Sequence, residues 1–236
     1  MSTNNTWLRE KLLKMGLEVT NSFDRGTSLF GINVAVGKHP PAPRSGVVLQ
    51  ECLNRKPKNV LDVGSGGGEH ARMFSDQGSK VTCIDFGTSV YAQKAIPDTK
   101  INVVYADFTK WTPTGLFDLV WASHVLEHQR NVGFFIDKLV ECCSPEGNIA
   151  ITVPNPHRNL WGGHLSLWTP GFLAYNCVMC GLDLSDAVMI YGYREFSVIF
   201  KPRKVILPDL SYDSGDIHKI QHLFPKGFGE DTDAWF

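Results

Sequence analysis

The sequence predicts an α/β fold: a doubly wound, mostly parallel sheet of seven strands with an antiparallel hairpin at one edge. Three observations lead there. From residue 59 on, short apolar runs recur at roughly 20–30-residue spacing, as expected of strands buried on both faces. Stretches of helical periodicity separate them, which is the pattern of βαβ units. Two further strand-like runs near residue 190 are joined by only three residues, and so tight a connection makes an antiparallel pair.

Taken in order, the chain opens with an amphipathic helix candidate from Trp7 to Met15, stopped by Gly16. Residues 26–43 are broken by glycine and proline, and Gly37-Lys-His-Pro-Pro-Ala-Pro-Arg44 excludes regular helix or central strand, because proline lacks an amide donor and restricts its neighbour. Ser45 is placed to cap a helix running to about Arg55, with Val47, Val48, Leu49 and Leu53 available for burial. Strands are expected at Val60–Val63, Lys80–Ile84, Ile101–Tyr105, Phe117–Trp121, Asn148–Val153, Ala187–Tyr191 and Glu195–Phe200. Helices are expected at His70–Gln77, Ser89–Ala95, Val132–Cys143 and from Pro170 to about Cys180. Beyond Pro202 the tail is polar, and no structure is expected in it. The chain thus divides into an N-terminal helical or lid segment (1–55), a sheet domain (56–202) and a C-terminal tail (203–236).

Composition narrows the function. Twenty-three Lys+Arg stand against 24 Asp+Glu in 236 residues, so no global positive field draws in nucleic acid. Six cysteines are too few for a disulfide scaffold and read as reduced thiols. The N-terminus has no apolar core of a signal peptide, and no stretch reaches membrane-spanning length. A soluble, cytoplasmic protein with a small-molecule partner is expected, with no nucleic-acid or membrane partner. An exposed edge strand and the Trp235-Phe236 end offer surfaces for a homodimer.

In such sheets ligands bind at the carboxyl ends of the strands, near the switch point. The first strand runs into Asp62-Val63-Gly64-Ser65-Gly66-Gly67-Gly68-Glu69. Glycines 64, 66 and 68 let the backbone turn tightly and leave room for a ligand. Asp85 follows the second strand, where a carboxylate can accept both hydroxyls of a ribose, and Phe86 is grouped with it. Asp107-Phe108 follows the third, an acceptor beside an aromatic face that suits a purine. Each piece has a plain structural reading as turn or helix cap; three at consecutive strand ends indicate a nucleoside site. A pyrophosphate is disfavoured, because Glu69 replaces the third glycine of G-x-G-x-x-G and Asp62 would repel it. S-adenosylmethionine, with an ammonium, a sulfonium, a diol and an adenine, matches the three carboxylates.

These segments, with Phe117-Asp-Leu-Val-Trp-Ala-Ser-His-Val-Leu-Glu-His128 and Ser144-Pro-Glu-Gly147 before a strand, resemble class I S-adenosylmethionine-dependent methyltransferases. The similarity is nearest to the broad group that includes the ubiquinone and menaquinone biosynthesis enzymes, and it covers about residues 58–200. It implies a Rossmann-like fold and S-adenosylmethionine held by Gly64, Gly66, Asp85 and Asp107. It also implies that Ser123 and His124 flank the methyl group and that His128 begins the next helix beside the cofactor. Glu146 departs from the paired glycine usual before the fifth strand.

Methyl transfer needs a general base only when the acceptor atom keeps its proton, and histidine titrates in the right range. His124, at the strand end, and His164, within Leu160-Trp161-Gly-Gly-His164-Leu-Ser-Leu-Trp168-Thr-Pro170, are the catalytic candidates. His124 is alternatively a polar lining or a helix-start residue, and His164 a structural histidine tying the loop. Trp161 and Trp168 are an acceptor platform or buried anchors, His157 is a weaker candidate, and His39, His70, His218 and His222 are read as surface or capping residues. His124-Val-Leu-Glu127-His128 also fits the inverted zinc-peptidase signature H-x-x-E-H. That reading leaves the glycine loop unexplained, so no metal ligand is assigned. Cys177 and Cys180 are read as packing residues. The expected activity is methyl transfer to an oxygen or nitrogen of a sugar, quinone or other metabolite. The alternative from another class is a catalytically idle S-adenosyl-binding module.

Overall fold

The computed structural model describes residues 44–94, 98–156, 159–192, 194–213 and 215–228, and the backbone of three short strands nearer the N-terminus. Those strands, β1 (Glu18–Val19), β2 (Thr27–Leu29) and β3 (Ile32–Ala35), form a small antiparallel sheet in the order β1-β3-β2, so part of the segment read as broken does pair. The helix expected at Trp7–Met15, His39, His157 and the Trp235-Phe236 end lie outside the described residues.

The main sheet holds β4 (Asn59–Val63), β5 (Lys80–Asp85), β6 (Ile101–Tyr105), β7 (Phe117–Ser123), β8 (Cys143–Pro154), β9 (Val188–Gly192) and β10 (Glu195–Phe200), in the order β6-β5-β4-β7-β8-β10-β9. The first five are parallel, and β10 runs antiparallel to both β8 and β9. The chain winds outward from β4 to β6 and then returns to lay β7 beside β4, which puts the switch point between those two strands.

Period-two alternation sends the strand residues to two cores. Val60, Leu119 and Trp121 join Val48, Leu49, Cys52 and Leu53 of α1 (Gly46–Asn54) and Ala71 and Phe74 of α2 (Glu69–Asp76). Leu61, Val120 and Ala122 join Phe135, Ile136 and Leu139 of α3 (Val132–Cys142) and Leu173, Ala174 and Cys177 of α4 (Pro170–Met179). Burying each large apolar side chain contributes roughly 1.5–3 kcal/mol. Asn131 and Thr169 cap α3 and α4 by accepting the amides of Phe134 and Phe172, both at 3.1 Å.

Four expectations change. Ser45 stands at the start of α1 but its side chain does not cap it; the hydroxyl goes to Ser123 instead. The helix expected at Ser89–Ala95 is a single 3₁₀ turn, Ala92–Lys94, among the described residues. β8 begins at Cys143, and residues 144–147 bulge out of it, because Phe117 pairs with Cys143 while Leu119 pairs with Asn148. Gly147 is required there, since a Cβ would lie 2.9 Å from the Asp118 carbonyl oxygen. Finally, the tail is not structureless: α5 (Asp216–Ile220) and the turn after it bury Ile220, Leu223 and Phe224 in the second core, with Phe224 stacked on Tyr175 at 6.3 Å. No helix among the described residues is long and apolar enough to cross a membrane.

Candidate functional site

β4 delivers its chain into a loop that only glycine suits. Gly64, Gly66 and Gly68 have φ of +69°, +53° and +74°, a region costing other residues roughly 1–2 kcal/mol. At Gly64 a Cβ would also stand 2.4 Å from Cγ2 of Val125. Asp85, at the end of β5, accepts the Gly66 amide at 3.0 Å through one oxygen and the Gly87 amide at 2.8 Å through the other. One carboxylate therefore ties two adjacent loops together.

Asp62, two residues before the loop, is only 3% exposed, and one of its oxygens has no hydrogen-bond partner among the described residues. Burial, then the charge of Asp85, pushes its pKa up to about 7 against the pull of the Ala71 amide. After β6, Asp107 accepts the Thr109 hydroxyl at 2.6 Å and its amide at 3.0 Å, and pairs with Lys110 at 3.3 Å. Those contacts, the Thr109 hydroxyl foremost, outweigh desolvation and hold its pKa below the ordinary value. Phe108 is buried edge-on to Phe135 at 5.3 Å, whereas Phe86 is exposed. Gly64, Asp85, Phe86, Asp107 and Phe108 line one cleft, closed on its far side by Val125 and Gln129.

The rim beyond β7 is built differently. Ser123 shares a hydrogen bond with Ser45 through their hydroxyls at 2.7 Å. His124 sits in the left-handed region at φ +57°, with Nε2 2.8 Å from Glu195 and Nδ1 3.4 Å from Glu127. Burial works to lower its pKa, but the two carboxylates overcome it and push the value up to about 9. An imidazole so placed keeps its proton at neutral pH and has no nitrogen turned to a substrate. Glu195 also accepts the Ser45 amide at 2.6 Å, so this one residue anchors both the start of α1 and the end of β7.

His128 does not begin a helix. It closes the 3₁₀ turn Leu126–His128, and α3 starts only at Val132. The H-x-x-E-H segment therefore lies on no regular α-helix, and His124 turns away to Glu195. His128 Nδ1 bonds the Gly163 carbonyl at 2.7 Å, and its ring meets His164 edge to face at 4.9 Å. Trp161 in turn meets His164 at 5.3 Å. The amides of Leu165 and Ser166 donate to the Glu127 carbonyl at 2.7 and 3.3 Å, which lays the 160–168 loop over the rim. Trp168 is buried as an anchor and Trp161 is 48% exposed. A carboxylate oxygen of Glu127 and one ring nitrogen each of His128 and His164 lie within 4.8 Å of one another.

Other expectations settle as structural details. His70 is not a surface residue: its Nε2 donates to the Arg44 carbonyl at 2.9 Å, and its Nδ1 accepts the Trp121 indole N–H at 3.2 Å. Burial drives the thiol of Cys177 far up and that of Cys180 to about 11, which suits packing. A larger hollow of about 330 Å³ lies at the opposite end of the sheet, beside Arg55 and Asp118. There Arg55 is held by Asn148 and Glu51, and Asp118 by the amides of Lys58 and Asn59. Glu195 is the residue that sequence reasoning missed, for nothing local marks it among the strand residues of β10.

A family model described as a methyltransferase domain matches residues 45–192. The ubiquinone biosynthesis O-methyltransferase of Rickettsia typhi is 38% identical over 102 residues, 41% of this chain and 41% of that protein. The malonyl-[acyl-carrier protein] O-methyltransferase of Pseudescherichia vulneris is 27% identical over 107 residues, 45% of this chain and 43% of that one. The chain thus aligns with about two fifths of the length of these relatives. Among solved structures, the 1,6-didemethyltoxoflavin-N1-methyltransferase of Burkholderia thailandensis shares the fold at a TM-score of 0.53 and 20% identity, covering 68% of this chain and 76% of that one. The N-methyltransferase NodS of Bradyrhizobium japonicum does so at 0.52 and 16%, covering 68% and 88%.

Proposed function

The chain belongs to the methyltransferase domain family, and from that premise we propose that it transfers a methyl group from S-adenosylmethionine to an oxygen or nitrogen of a small-molecule acceptor. The observation that carries the reading is the pair of loops tied by Asp85. Each of its oxygens takes one loop amide and keeps a further acceptor position, which matches the two hydroxyls of a ribose. The unpartnered oxygen of Asp62 suits the ammonium end of the same ligand, whose charge would relieve a buried carboxylate. Gly64, Gly66 and Gly68 give the backbone its close approach, and Asp107, Phe86 and Phe108 line the purine side.

When bound, the sulfonium supplies an electrophilic methyl group. The chain has to orient the partners and exclude water, and orientation alone supplies roughly 7–11 kcal/mol. In this reading Ser123 and His124 fix the geometry of the β7 end through Ser45 and Glu195. His164 is the acceptor-side residue, with half-exposed Trp161 beside it as a platform for a ring. A quinone or a sugar is the acceptor class proposed, and the names of the relatives include both O- and N-methyltransferases.

Thermal unfolding with S-adenosylmethionine, S-adenosylhomocysteine and NAD in parallel tests the reading. Either S-adenosyl compound at 100 times its dissociation constant is expected to add about 2.7 kcal/mol, with no response to NAD. A response to NAD alone overturns the proposal.

A further inference from the structure

Among the described residues, the buried side-chain polar atoms without a hydrogen-bond partner fall in two places. One is the Asp62 oxygen already placed. The others are both carboxylate oxygens of Glu127, the Ser166 hydroxyl and the Trp168 indole nitrogen, all on the 3₁₀ turn and the loop that covers it. Glu127 is 1% exposed and accepts no hydrogen bond among the described residues. The His124 imidazolium faces it at 3.4 Å as an ion-pair partner on one side, and a buried carboxylate without a donor still favours a further cation.

The neighbouring histidine shows which of these is arranged. The Gly163 carbonyl can only accept, so His128 Nδ1 donates to it at 2.7 Å. That bond fixes the tautomer and turns Nε2 toward Glu127, 3.9 Å away, too far for a hydrogen bond. In the neutral ring a lone pair therefore faces a carboxylate oxygen. A backbone carbonyl holding the far nitrogen is the second-shell arrangement of metal-bound histidines. His164 brings a third ligand atom, and all three atoms lie within 4.8 Å of one another.

We infer that Glu127, His128 and His164 bind a divalent transition-metal cation of the zinc type. Two imidazoles and a carboxylate are a set that zinc or iron(II) takes while keeping coordination positions open. Ligands each about 2.1 Å from one ion stand at most about 4.2 Å apart, so the observed spread closes with a small side-chain movement. His124 faces the same carboxylate from its other side at 3.4 Å and supplies no ligand, because its Nε2 is held by Glu195. The inference reverses the expectation that the H-x-x-E-H segment carries no metal, and it replaces the ligand pair that the motif would imply: His164, from a loop 36 residues beyond His128, takes the place of His124. The metal site stands apart from the methyl-transfer reading; only an open position for an acceptor oxygen rests on that reading.

The test is titration of the untagged full chain with Co²⁺, followed by visible absorption, with Zn²⁺ as competitor. One equivalent is expected to bind with d–d bands that Zn²⁺ abolishes. Glu127→Gln, His128→Ala and His164→Ala are each expected to weaken binding by on the order of 100-fold or more, while Cys180→Ser leaves it unchanged. Because His164 lies on a surface loop, its variant keeps the test valid if Glu127→Gln fails to fold, as judged by circular dichroism. Absence of stoichiometric binding, or binding that survives in the histidine variants, overturns the inference. Measuring the S-adenosylhomocysteine thermal shift on the same samples separates this failure from failure of the methyl-transfer proposal.

Discussion

The two halves of the rim differ in how far their polar groups are satisfied. On the β4–β6 side, Asp85 and Asp107 are satisfied by their own loops, through Gly66, Gly87 and Thr109, and one oxygen of Asp62 is left without a partner among the described residues. On the β7–β8 side, Glu127, Ser166 and Trp168 leave buried polar atoms unpartnered. The first half is preorganised by short-range hydrogen bonds within and between its loops. The second is assembled from segments distant in sequence and compensates its charges incompletely. A cradle that fits one kind of ligand suits the first arrangement; a site completed by what it binds suits the second.

Removing the group that organises the first half gives the largest expected effect. On the proposed function Asp85→Ala removes two charge-assisted hydrogen bonds to a diol, each about 1.5–3 kcal/mol, so S-adenosylhomocysteine affinity is expected to fall by at least ~100-fold in calorimetric titration. Retention of affinity would break the comparison at its stronger side. The halves touch where Gly64 meets Val125. Gly64→Ala is expected to cost about 2–5 kcal/mol in urea unfolding, from left-handed strain and overpacking together. Adding Val125→Ala should restore the packing part and leave the strain. On the second side, Glu195→Gln weakens the clamp on His124 and Ser45 and is expected to cost about 1.5–3 kcal/mol, with Co²⁺ binding retained if clamp and metal site are separate.

The smallest effect concerns Asp62. Its folded pKa, about 7, lies above the ordinary 3.8, so the stability its neutral form contributes is fully present below about pH 3.8 and lost as pH rises through 7. Asp62→Asn cannot ionise, and its urea midpoint relative to the unaltered chain is expected to rise between pH 5 and pH 8. A difference that stays constant across that range would place the carboxyl in an ordinary environment.

Much of this was legible in the sequence. The seven strands could be read because continuous apolar runs such as Val60–Val63 and Phe117–Trp121 report burial on both faces, and glycine at 64, 66 and 68 reports backbone that other residues resist. What escaped was long-range. Ser45 reads as a helix cap, yet Ser123, 78 positions away, takes its hydroxyl. Helix α5 has five residues, too few for a periodic signal. His128 reads as a helix start because nothing in Leu126-Glu127-His128 announces a 3₁₀ turn. That Glu127 accepts no hydrogen bond among the described residues depends on which donors fail to reach it, and no spacing encodes that.

The antiparallel course of β10 has a consequence in time. Because it runs against its neighbours, its first residue, Glu195, arrives at the rim where the parallel strands end. During synthesis α1 and β7 are therefore made before Glu195, the carboxylate that bridges them, and that bridge closes a loop of 150 residues. A nascent chain halted before Glu195 carries the glycine loop without the lock that sets His124.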